Sequence, residues 1–155
     1  MGGSPFDSSS CPTYGKDDAT LLSEGWIDST TNLVAAHDAA TVHLGAPWRM
    51  PTDADFAALV DNCTAAWITT NGVSGQLVTG TGDYADRSIF LPAAGCCDDS
   101  ALYSPGWEGD YWSSTPISDI PERAWSLTIS SDGIYGYFYD RYVGRSVRPV
   151  RDPTD

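Results

Sequence analysis

The run from Ala124 to Tyr139 restricts the fold more than any other stretch of this chain. Ala124-Trp125-Ser126-Leu127-Thr128-Ile129 alternates strictly, Ser131-Asp132-Gly133 supplies turn residues, and Ile134-Tyr135-Gly136-Tyr137-Phe138-Tyr139 returns. Successive side chains of a strand point to opposite faces, so two such runs joined by a short Gly-containing turn predict an antiparallel hairpin. Upstream, Gly75-Gln76-Leu77-Val78 and Ser88-Ile89-Phe90-Leu91 stand among Gly and Thr as further strands. Arg145–Arg151 predicts a last strand, in which Pro149 demands an edge position or a bulge because it cannot donate to a ladder.

Helical signals come earlier. Leu33–Leu44 is Ala-rich at helical spacing, with Gly45 where a C-cap belongs. A second helix is predicted from Pro51 to about Cys63: Thr52 can cap it, Asp53 and Asp55 suit its positive end, and Phe56, Leu59 and Val60 form an apolar stripe. Two early helices followed by a twisted antiparallel sheet make an α+β domain.

With 155 residues, 41% of them hydrophobic, the chain can close one core, so a single domain is expected over residues 11–152, preceded by a flexible lead-in over 1–10. Met1-Gly2-Gly3-Ser4 has the look of an added cloning leader. The net charge of -13, from 21 acidic against eight basic groups, repels phosphate backbones and anionic headgroups, which excludes nucleic acid and membrane surfaces as expected partners. No apolar run reaches the roughly 20 residues that span a bilayer, and no basic-then-apolar signal pattern opens the chain. Among Cys11, Cys63, Cys96 and Cys97 there is no CxxC pair for zinc, and the adjacent Cys96 and Cys97 suit two independent bridges poorly. Unbridged thiols are therefore expected, with a Cys11–Cys63 disulfide as the alternative.

Trp48-Arg49-Met50-Pro51-Thr52-Asp53-Ala54-Asp55-Phe56 resembles a signature shared by formylglycine-generating-enzyme-like proteins and the variable proteins of diversity-generating retroelements. Leu91–Gly95, Tyr111–Pro116 and Gly144–Arg151 resemble, in the same order, later motifs of the second group. The resemblance covers about Cys11 to Asp152 and implies a C-type lectin fold: two helices, a twisted antiparallel sheet, and long irregular loops bearing the ligand site. Trp48 and Trp112 would then be core anchors, and Arg145, Arg148 and Arg151 scaffold cations that pair with carboxylates.

In such relatives miscopied template adenines turn AAC or AAT codons into codons ending in a pyrimidine, which never encode Trp, Met, Gln, Lys or Glu. Trp107, Glu108, Trp112, Glu122 and Trp125 therefore fall outside the diversified set. The positions that resemble variable sites, over 96–143, are Cys96, Cys97, Tyr103, Ser104, Asp110, Ile117, Ile120, Arg123, Ser130, Ile134, Tyr135, Tyr137, Tyr139 and Tyr142, together with Asp140 and Val143. Ile117 and Ile120 read as solvent-prone, and Tyr135, Tyr137 and Tyr139 fall on one face of their strand, either as a packed aromatic ladder or as a contact surface. Tyrosine suits contact because it offers large area with only two torsions to order.

The resemblance implies a domain that displays a surface to a protein or glycan ligand outside the cell or on a virion, with no catalysis and no required cofactor. Four alternatives compete with it. A formylglycine-generating oxidase needs separated active cysteines late in the chain, whereas nothing after Cys97 is Cys. Hydrolysis lacks GxSxG, and His37 and His43 are too far apart for neighbouring helical turns. Calcium-dependent sugar binding lacks the usual tripeptides, although Asp83 with Asp86, Asp98 with Asp99, and Asp17 with Asp18 offer oxygen pairs; solvated charge is the plainer account of each. A surface or fibre-tip adhesin of fixed specificity would use the same fold.

Overall fold

A computed structural model describes residues 5–151; Met1–Ser4 and Asp152 lie outside them. The described residues form helices α1 (Asp18–Ser23), α2 (Ala39–Leu44) and α3 (Asp53–Asn62). The strands are β1 (Cys63–Thr70), β2 (Val73–Gly80), β3 (Ser88–Pro92), β4 (Cys96–Asp98), β5 (Ala101–Tyr103), β6 (Glu108–Pro116), β7 (Arg123–Ser130) and β8 (Gly133–Asp140). They make antiparallel sheets in the orders β1-β2-β3, β4-β5 and β6-β7-β8. The α+β expectation holds.

Local chemistry explains the elements. Thr52 and Asp55 form a reciprocal capping box at the start of α3, which satisfies backbone donors that the first helical turn leaves open. Arg49 reaches the same carboxylate at 2.6 Å. Burial works to raise the Asp55 carboxyl, but the Arg49 and Thr52 donors outweigh it and hold it below its ordinary value. The hairpin β7–β8 pairs Ser130 with Gly133 across the Ser131-Asp132 turn, as its alternation and turn residues predict.

Three expectations need correction. The helix expected from Leu33 begins only at Ala39, as α2, with the unforeseen α1 before it, because Leu33 bridges Ile27 and donates its N–H to the Ser114 carbonyl. Asp38 caps the shorter helix, accepting from Thr41 N and Met50 N, both at 2.8 Å. Arg145–Arg151 is not a continuous strand: the C-terminal segment makes isolated bridges, Cys97 with Gly144, Tyr111 with Ser146, and Arg49 with Val150. Trp48 is no core anchor either; it is exposed, with the Arg151 guanidinium 5.7 Å from its ring centre.

The core lies between the two larger sheets and α3. Phe56 of α3, Val78 and Leu91 of β2 and β3, and Tyr111, Leu127 and Ile129 of β6 and β7 meet there. The Tyr111 hydroxyl donates to the Pro92 carbonyl at 2.6 Å, and burial pushes its pKa up to about 12. β6 runs so close to β3 that a side chain at Gly109 would meet the Pro92 carbonyl oxygen at 2.5 Å.

Candidate ligand-binding face

The hairpin presents two unlike faces. Leu127 and Ile129 point into the core, so period-two alternation turns Ala124, Ser126, Thr128 and Ser130 to the other side. Register places Tyr139 beside Ala124, Tyr137 beside Ser126, and Tyr135 beside Thr128. Across β7 from them stand Trp112, Asp110 and Glu108, opposite Ser126, Thr128 and Ser130. Small β7 side chains form a floor that does not cover the tyrosine rings, and Tyr135, Tyr137 and Tyr139 stay 42%, 51% and 42% exposed. The Tyr137 and Tyr139 rings lie 5.7 Å apart.

Arg145 fills the middle of this face. Its Nη1 donates to Asp110 Oδ1 and to Ser126 Oγ, each at 3.0 Å. Its guanidinium lies 3.8 Å from the Tyr139 ring centre and 5.1 Å from that of Trp112. Thr128 Oγ1 adds a 2.8 Å hydrogen bond to the same Asp110 oxygen. Desolvation lowers the Arg145 pKa, while the Asp110 charge opposes that shift. Burial, seconded by Asp110, raises the neighbouring Cys96 thiol and the Glu108 carboxyl.

The positions singled out as variable do not all share this surface. Asp110 is 2% exposed and belongs to the framework beneath it; Val143 is buried as well. Arg123 and Ile134 lie on the core side of the sheet: Arg123 Nε bonds Asp140 Oδ1 at 3.1 Å and stands over Phe138, and Ile134 packs against the core cluster. Ile117 and Ile120 are half-buried in the tight β6–β7 connection, where Ile117 N donates to the Arg123 carbonyl. Tyr142 is half-buried edge-on against Tyr14. Ser130 closes β7, its carbonyl taken by Gln76 and its hydroxyl by the Asp132 amide.

A second exposed patch borders Arg145. In the β4–β5 hairpin Cys96 pairs with Tyr103, and Cys97 exchanges backbone hydrogen bonds with Gly144. Ser104, in the left-handed region at φ 54°, accepts the amides of Trp107 and Glu108 through its carbonyl. Tyr103, Leu102 and Trp107 are exposed, Trp107 by 79%. Sequence reasoning passed over Leu102 and Trp107, although a tryptophan following Ser104-Pro105-Gly106 stands in a turn where no core claims it.

Other sequence-derived candidates disperse. All four cysteines are free thiols, so the Cys11–Cys63 bridge is not formed. His37 precedes α2 in a turn and stacks on Trp26 at 4.0 Å, while His43 ends that helix. Among the described residues no three of His, Cys, Asp and Glu gather where an ion would sit, the aspartate pairs at 17–18, 83–86 and 98–99 included. At the Ala124 end of the tyrosine face a cleft of about 150 Å³ opens beneath the N-terminal segment, lined by Leu21, Ile27, Met50, Trp112 and Arg141. Arg141 there holds the Thr13, Lys16 and Arg123 carbonyls.

Comparison of the chain with protein-family models, with curated proteins and with solved structures finds no match in any of the three.

Proposed function

We propose that this chain is a ligand-binding display domain of the C-type lectin type, a retroelement-diversified variable protein whose tyrosine face recognises a macromolecular partner without catalysing a reaction. One observation carries it: three tyrosines stand in register on an open sheet face, held up by a floor of small residues and by a buried ion pair that needs none of their hydroxyls. Soluble domains rarely leave such aromatic area uncovered without a use for it. Rigid aromatics above a fixed framework are also how paratopes gain contact area at low ordering entropy. A ligand displayed on a cell or virion surface fits a receptor of this kind, with no metal or cofactor required.

The test is a binding array of proteins and glycans probed with the wild-type domain and with Tyr135→Ser and Tyr137→Ser. Specific ligands that weaken about tenfold or more on either substitution, with folding intact, are the expected result. A reproducible ligand indifferent to both substitutions would move the site elsewhere, and an array without any tyrosine-dependent ligand would end the display reading.

A further inference from the structure

Building on that reading, we infer that the partner is a basic protein surface: one of its lysine or arginine side chains seats above Ser130, between the Tyr135 ring and the Glu108 carboxylate. Register sets this niche. Glu108 pairs with Ser130, and Ser130 with Gly133, so the three form one row across β6, β7 and β8. Neighbouring strands are about 4.8 Å apart, which separates the outer two backbones by about 10 Å. Tyr135 leans back along its strand to close one side: its hydroxyl lies 3.5 Å from where a Gly133 side chain would begin. The short Ser130 floor leaves the interval open, and Glu108 forms the far wall.

The wall chemistry selects a cation. Among the described residues no basic group forms an ion pair with Glu108; the nearby guanidinium of Arg145 pairs through Nη1 with Asp110 at 3.0 Å and reaches Glu108 only as a charge at longer range. A cation entering the row donates a charge-assisted hydrogen bond to the carboxylate and is attracted to the tyrosine face. Neutral sugars would use the rings and hydrogen-bond the carboxylate through their hydroxyls but leave its charge unbalanced, and an acidic partner would be repelled. At long range the net charge of -13 draws basic partners towards the chain and speeds their encounter.

The experiment follows amide shifts of the isotope-labelled domain during titration with tetra-arginine amide and tetra-lysine amide, with tetraglutamate as the opposite-charge control, at low and high salt. Saturable shifts at Ser130 and Gly133 with the basic peptides are expected, weakened by salt. Glu108→Gln should lower affinity about tenfold, one charge-assisted contact, and Tyr135→Ser about threefold. Asp61→Asn, the same charge change on exposed α3, should leave affinity within a factor of two. Shifts absent at saturating peptide, or equal losses for Glu108→Gln and Asp61→Asn, would overturn the proposal. A ligand from the array that needs Tyr137 yet ignores Glu108 and salt would also overturn it while leaving the display function standing.

Discussion

Arg145 and Asp110 form a closed ion pair beneath the tyrosine face, 3.0 Å apart, with side chains only 1% and 3% exposed. A buried pair is a poor source of net stability, because desolving two charges offsets much of their attraction; removing one partner is what costs. Asp110→Ala should therefore destabilise the domain by about 3–5 kcal/mol. The double change Asp110→Leu with Arg145→Leu should be less harmful than that single one. Urea unfolding of the wild type, the Asp110→Leu and Arg145→Leu single variants, Asp110→Ala and the double variant checks this, and additive losses for the two Leu changes would mean that the two charges are not coupled.

The three tyrosines should not respond alike. Neither the Tyr135 nor the Tyr137 ring carries the Arg145 guanidinium, and Tyr137 packs on Phe138 and Tyr139 at the exposed sheet edge, so replacing either by Ser should change stability by less than about 1 kcal/mol. Tyr139 faces the desolvated Arg145 guanidinium at 3.8 Å, an arrangement worth about 2 kcal/mol where water is excluded. Thermal unfolding should rank Tyr139→Ser clearly below the other two. Equal losses at all three would show that the ring does not hold Arg145.

Phe6 should act as a cover for the cysteine pair. Its ring lies where a side chain at Gly144 would begin, 2.5 Å from Cε1, and it lines the same cleft as Cys96 and Cys97. Burial raises the Cys96 thiol, which slows its chemistry because only the thiolate reacts. Both Gly144→Ala and Phe6→Ala should speed modification by an aromatic disulfide reagent at pH 8. Unchanged rates in Phe6→Ala would mean that the ring does not shield the thiols.

Much of the framework was legible in the sequence, and the reasons are local. The β7–β8 hairpin announced itself by strict alternation around Ser131-Asp132-Gly133, and α3 by Thr52 as a cap, Asp53 and Asp55 at its positive end and the Phe56, Leu59 and Val60 stripe. What failed was decided by tertiary partners. The Ala-rich run from Leu33 looked helical throughout, yet its start is engaged by Trp26 and Ile27 just upstream and by Ser114 on a distant part of the chain. Arg145–Arg151 looked like one strand, and its bridges go instead to two separate segments, β6 through Ser146 and Arg49 through Val150. At the site, alternation placed the tyrosines together correctly. Position in a variable-looking stretch could not distinguish exposed Tyr137 from interior Asp110, because only the approach of Arg145 and Thr128 to Asp110 on β6 makes that difference.

Glu108 couples the surface to folding in a direction that pH reveals. Desolvation first, and then the Asp110 charge, raise its folded-state pKa above the ordinary 4.5. A raised carboxyl holds its proton more tightly in the folded than in the unfolded chain, so its favourable contribution is complete below pH 4.5 and fades as pH climbs through the folded-state value. At neutral pH the ionised carboxylate is therefore a small burden on the fold, which removal of its charge relieves. Glu108→Gln should unfold at a higher temperature than the wild type at pH 7, with the gap closing as the pH is taken down towards 4 and below. Calorimetric scans of both proteins across that range check the sign: a variant less stable at pH 7, or a gap that widens in acid, would show that Glu108 is held by a favourable partner rather than left open for one.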